Sequence, residues 1–158
     1  MSTKLSRHNN HNYFMSLALK QANINLGNTK KNPSVGCVII KNNLVISAGF
    51  TSINGKPHAE YNAIKNSTEN LKNATMYVTL EPCCHYGVTP PCTSEIIKSN
   101  VGEVIYSIKD IDKRVHGKTN KILSTKKINV KNGLLKNKIS QFYKPYFYNR
   151  KNKMPYVT

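Results

Sequence analysis

Glu81-Pro82-Cys83-Cys84-His85-Tyr86-Gly87-Val88-Thr89-Pro90-Pro91-Cys92, taken together with His58-Ala59-Glu60 upstream, is the stretch around which the chain is organised. One imidazole, two thiols and a carboxylate two residues from the imidazole are the parts of a hydrolytic zinc centre. Three protein ligands leave the fourth corner of a tetrahedral Zn²⁺ open to water, whereas a structural site closes it with a fourth side chain. Such an ion lowers the pKa of its water from about 15.7 towards 7. The pattern names His58, Cys83 and Cys92 as metal ligands and Glu60 as the proton carrier. Cys84 is left without a role, because adjacent cysteines rarely both reach one tetrahedral metal.

Working outward, Ala74 to Leu80 is an apolar strand that delivers the cysteine segment, and Pro90-Pro91 opens a helix whose Ile96 and Ile97 turn inward. Proline suits a first helical turn, where its missing N–H is not needed. A second helix starts near His58 and buries Ala59, Ala63 and Ile64. Both helix N-termini therefore aim their dipoles at the metal, which favours thiolate. Upstream, Tyr13 to Leu26 carries apolar residues at helical spacing. Asn32-Pro33 opens an apolar strand, Val35 to Ile40, that turns through Lys41-Asn42-Asn43 into a second, Leu44 to Ala48. Downstream come a strand at Glu103–Ile108, a short helix at Gly117–Ser124, a strand at Ile128–Val130, and a helix from Leu134 to Tyr148. Pro145 is expected to kink or end that last helix. A hairpin followed by alternating strands and helices predicts a three-layer α/β/α sandwich on a five-stranded mixed, mostly parallel sheet. Glu81 is read equally as a substrate contact or as a support of its loop.

The chain has 158 residues, enough for one domain with a real core. No apolar run approaches the roughly 20 residues that span a bilayer. The polar stretch 1–12 is expected to be disordered, with the domain occupying 13–150. Three of the four cysteines crowd into the metal motif, so a reducing, cytoplasmic setting is expected, and Cys37 reads as a small buried hydrophobe. The net charge of +17 raises a nucleic-acid partner. All seven acids lie between Glu60 and Asp112, and from Lys113 onward 13 Lys or Arg follow without an acid. Only three of the 24 basic residues are Arg, the side chain suited to bidentate phosphate or base recognition. A generic basic surface is the reading adopted, and no nucleic acid is expected.

H-x-E followed by P-C and a further Cys is the signature of zinc deaminases, in which the Glu is acid/base and not a ligand. The common form ends P-C-x-x-C; here eight residues separate Cys83 from Cys92. H-A-E with V-T-L-E-P-C-C-H-Y-G-V-T-P-P-C closely resembles the deaminase domain of the bifunctional riboflavin-biosynthesis deaminase/reductase, of the cytidine deaminase-like superfamily, from about Tyr13 to Thr158. The resemblance implies deamination of a diaminopyrimidine ribosylamino 5′-phosphate, a small-molecule phosphoribosyl pyrimidine. It further implies that Asn32, in Asn32-Pro33-Ser34-Val35-Gly36-Cys37, and His85 line the substrate pocket. Asp110 and Asp112, in a segment similar to D-P-[ND]-P-x-V-x-G, would face the ribose end, where Lys113 and Arg114 are placed to attend a phosphate. Self-association is implied as well. There are departures: Val88 stands where the family usually has Lys or Arg, Thr51 where His is frequent, and Ile111 and Lys113 replace two prolines. Residues 151–158 look like the start of a reductase domain, so a reductase, fused or separate, is the expected partner. A nucleic-acid or nucleoside base deaminase is the rival reading, against which the long cysteine spacing and the scarcity of Arg both argue.

Overall fold

The structure, a computed structural model, describes residues 7–155. The elements run α1 (Arg7–Asn23), β1 (Gly36–Lys41), β2 (Leu44–Phe50), α2 (Ala59–Asn66), β3 (Thr75–Leu80), α3 (Cys92–Ser99), β4 (Glu103–Ile108), α4 (Thr119–Ser124), β5 (Asn129–Asn132) and α5 (Lys136–Asn152). The five strands form one sheet in the order β2-β1-β3-β4-β5. It is mixed but not mostly parallel. β1 pairs antiparallel with both β2 and β3, while β3–β4 and β4–β5 are parallel. The opening hairpin is responsible, because it inserts β1 between β2 and β3.

Register fixes the layers. Cys37 pairs with Gly49 and Gly36 with Phe50, so Gly36 and Gly49 point to opposite faces. A Cβ on Gly36 would lie 1.8 Å from the Ala18 carbonyl oxygen of α1, and one on Gly49 would lie 2.4 Å from the Ala59 carbonyl oxygen of α2. Helices α1 and α2 therefore cover opposite faces, each drawn to van der Waals contact with backbone by a missing side chain. The face that carries α2 also holds α3, which packs against it, and α4 beyond. The other face carries α5, whose buried Tyr143 exchanges a hydrogen bond with Thr79 Oγ1 (2.6 Å) and donates to the Ser34 carbonyl (2.9 Å). The result is the expected three-layer sandwich. β1, β3 and β4 are almost wholly buried, as unbroken apolar strands require, and β2 and β5 are the exposed edges.

Two expectations fail at the ends. Helix α1 begins at Arg7, upstream of the expected start at Tyr13; residues 1–6 lie outside the described residues. Helix α5 starts after Leu134 and Leu135 and runs through Pro145 to Asn152. A proline inside a helix costs about 3 kcal/mol. Here Ile139 and Tyr143 are buried, and the Phe142, Tyr143, Tyr146 and Phe147 rings pack together, which outweighs the lost hydrogen bond. Of the expected reductase start, 151–152 finish α5 and 156–158 lie outside the described residues. Among the described residues no helix is long and apolar enough to cross a membrane.

Gly36→Ala drives a methyl into α1 backbone and is expected to destabilise the fold by about 3 kcal/mol, read from urea unfolding at constant m.

Candidate metal centre

The site forms where two helix starts meet the ends of β3 and β4. His58 is the residue that caps α2, held extended (φ −74°, ψ 164°), which swings its ring off the helix axis. Cys83 follows β3 by three residues, and Cys92 opens α3 immediately after Pro91. One donor atom from each of these three residues lies within 4.8 Å of the other two. His58 Nδ1 is 3.6 Å from Cys83 Sγ and 3.4 Å from Cys92 Sγ. Tetrahedral bonds of about 2.0 Å to nitrogen and 2.3 Å to sulfur put N and S about 3.5 Å apart. The donor set fits Zn²⁺.

The protonation chemistry agrees. Hydrogen bonds from the Cys92 thiol, from His58 and from the Cys92 backbone N–H (3.2 Å) pull Cys83 down to about 4, against the opposing effect of burial. Cys92 is pushed up, because its proton is committed to Cys83 and it is buried. His58 is raised chiefly by its bond to Cys83. A cation placed among them displaces these protons, as thiolate ligation demands. Glu60, in the first turn of α2, is only 3% exposed, and burial raises it to about 7, with the His58 charge opposing.

Residues 8–108 match the family described as the cytidine and deoxycytidylate deaminase zinc-binding region. The chain belongs to that zinc deaminase family. It is 41% identical over 145 residues to the diaminohydroxyphosphoribosylamino-pyrimidine deaminase of Buchnera aphidicola from Acyrthosiphon pisum, covering 90% of this chain and 97% of that one. It is 38% identical to the riboflavin biosynthesis protein RibD of Escherichia coli, covering 92% of this chain but only 40% of RibD. Among solved structures, RibD of Acinetobacter baumannii superposes with a TM-score of 0.89 at 38% identity, over 96% of this chain and 43% of that one. Zinc is the metal of this deaminase family.

In the deaminase a cavity of about 290 Å³ opens beside the ligands. Asn32, His85, Asp110 and Asp112, the expected substrate residues, all line it together with His58, Glu60 and Cys83. Asn32 reaches this rim because β1 runs antiparallel to β3, so its start meets the end of β3. Its amide donates to the Gly55 carbonyl (2.8 Å), which leaves the amide oxygen as an acceptor. His85 Nδ1 is buried with no hydrogen-bond partner among the described residues. Asp110 is buried and its carboxyl is raised for that reason, though Oδ1 accepts the Asp112 N–H (3.0 Å). Asp112 differs: its oxygens already bind the guanidiniums of Arg114 and Arg150.

Glu81 resolves as a support. Its buried carboxylate accepts the backbone N–H groups of Asp110 (3.2 Å), Gly117 (3.0 Å) and Thr119 (3.3 Å), pinning the loop between β4 and α4. Arg150, Tyr146 and Lys56 also line the cavity and were not foreseen, whereas Lys113 does not line it. Nothing in the lysine-rich tail singles out Arg150; its being one of only three arginines is the one available hint. Thr51 is fully buried, its hydroxyl accepting the Val35 N–H (2.9 Å). Val88 is 95% exposed at the tip of the cysteine loop.

Cys83→Ala and Cys92→Ala should each reduce bound zinc, measured by atomic emission, from one per chain to well below half, while Cys84→Ala keeps full occupancy.

Proposed function

We propose that the chain hydrolytically deaminates 2,5-diamino-6-ribosylamino-4(3H)-pyrimidinone 5′-phosphate, giving 5-amino-6-ribosylaminouracil 5′-phosphate and ammonia. The observation that carries this is the buried Glu60 carboxylate beside a His/Cys/Cys donor set, both opening on one polar cavity. Identity to a named deaminase matched over 97% of its own length supports the substrate assignment. His58, Cys83 and Cys92 would hold the zinc, which would supply a water acidic enough to attack at neutral pH.

The chain's own groups do the rest. Glu60, whose carboxyl burial raises above the usual range, takes a proton from the attacking water and gives it to the ring nitrogen next to the attacked carbon. The second water proton goes by the same carboxylate to the exocyclic amine. The C–N bond then breaks, a carbonyl forms and ammonia leaves. Asn32 and His85 offer an acceptor and an unpaired ring nitrogen to the heterocycle, and Asp110 suits ribose hydroxyls. Residues 81–92 wrap the cavity and limit bulk water.

The chain spans about 40% of the RibD relatives, and RibD-type structures include a reductase. A reductase consuming the uracil product, fused or separate, is therefore the partner we propose, in a cytoplasmic setting. No observation favours a nucleic-acid substrate; two of the three arginines turn to the cavity and not to an outer face.

Glu60→Gln tests the chemistry. Zinc should stay at one per chain while ammonia release falls about 10²- to 10⁴-fold; near-normal turnover would remove Glu60 from the mechanism.

A further inference from the structure

The substrate proposed above has one anion, a phosphate, separated from the attacked ring by the whole sugar. Four cations line the cavity: Lys31, Lys56, Arg114 and Arg150. Lys56 belongs to the metal end, two residues before His58, with Nζ 3.3 Å from Thr89 Oγ1 in the cysteine loop. Arg114 and Arg150 come from elsewhere, one from the loop after β4 and the other from the last turn of α5. Asp112 joins them. Arg114 donates through Nε to Asp112 Oδ1 (3.0 Å) and Oδ2 (3.2 Å) and through Nη2 to Oδ2 (2.6 Å). Arg150 donates through Nη2 to the same Oδ2 (2.7 Å). Oδ1 also accepts the Arg114 backbone N–H (3.0 Å).

Two consequences follow from counting. A carboxylate offers about four lone-pair sites, and those of Asp112 are taken, so it has no acceptor left for a ribose hydroxyl. Two guanidiniums share this one carboxylate, and the neighbouring Asp110 carboxyl is buried and raised. Each guanidinium has five N–H donors, of which Arg114 uses those of two nitrogens and Arg150 those of one, so both retain donors. Their side chains remain 62% and 36% exposed, open to a ligand. Planar donors held by a shared carboxylate match the oxygens of a phosphate better than a mobile ammonium does.

We infer that Arg114 and Arg150, braced by Asp112, form the phosphate subsite of the cavity, with ribose contact left to Asp110. This rests on the deaminase reading for the substrate but not for the subsite itself, which recognises a sugar phosphate whether or not turnover follows.

The test uses Arg114→Gln, Arg150→Gln and Arg150→Lys in the zinc-loaded full chain. With the phosphorylated pyrimidine, each Gln variant should raise KM about 10- to 100-fold, the range for one lost charge-assisted hydrogen bond, with kcat within about threefold. KM for the dephosphorylated nucleoside should not move, and Arg150→Lys should fall between wild type and Arg150→Gln. Calorimetry with ribose 5-phosphate and with ribose supplies the readout independent of catalysis: the wild type should bind only the phosphate, and Arg150→Gln should bind it at least tenfold more weakly. Equal losses on both pyrimidines, or ribose 5-phosphate binding unchanged by either Gln variant, would overturn the subsite. If zinc-loaded wild type binds ribose 5-phosphate through these arginines yet releases no ammonia, the deaminase reading falls and the subsite stands.

Discussion

Everything in the molecule answers to one geometric demand: an imidazole and two sulfurs from separate segments must approach within bonding distance of a common point. His58 comes from the start of α2, Cys83 from the loop joining β3 to α3, and Cys92 from the first position of α3. These can meet only if α2 and α3 lie side by side on one face of the sheet with their N-termini at the same rim. The missing Cβ of Gly49 lets α2 settle directly on β2, which fixes that rim. The Cys92 backbone N–H, pointing out of the start of α3, then lands on Cys83 Sγ and favours its thiolate. Fold and chemistry share a single set of constraints.

The sheet and the grouping of His58, Cys83 and Cys92 were legible in the sequence because both rest on strong local signals. Strands β1, β3 and β4 read as continuous apolar runs because they are covered on both sides, and H-A-E with P-C is a dense motif. Strand direction was less so: hairpin insertion of β1 between β2 and β3 is a matter of partner choice, which an apolar run does not encode. Pro145 misled for a related reason. Its local penalty is real, but the aromatic packing that overrides it comes from residues such as Tyr143, whose partners Thr79 and Ser34 are distant in sequence. Glu81 could not be resolved from its neighbours, since its three donors lie 29 to 38 residues away. Arg150 had no local signal at all; only the path of α5 brings it to Asp112.

The charge distribution gains meaning in three dimensions. A chain of net charge +17 has only seven acids, and four of them, Glu60, Glu81, Asp110 and Asp112, line the cavity. Each sits in a different environment. Burial raises Glu60 and Asp110, backbone N–H groups occupy Glu81, and the guanidinium of Arg114, with that of Arg150, holds Asp112 well below the usual carboxylate range. Two of the four thus serve the scaffold directly, Glu81 as a loop anchor and Asp112 as a brace for two guanidiniums.

The hydrogen bonding of the loop after β4 also bears on Ile111 and Lys113, which stand where the resemblance implies two prolines. The amides engaged around that turn belong to Asp110, Asp112, Arg114, Val115, His116 and Gly117, so among the described hydrogen bonds none starts at 111 or 113. Those two backbone nitrogens are idle donors. Exchanging an imino acid for an ordinary one there frees rotation in the unfolded chain but leaves the scaffold of the turn untouched. The alternation of idle and engaged nitrogens from 110 to 114 is what makes those two positions permissive.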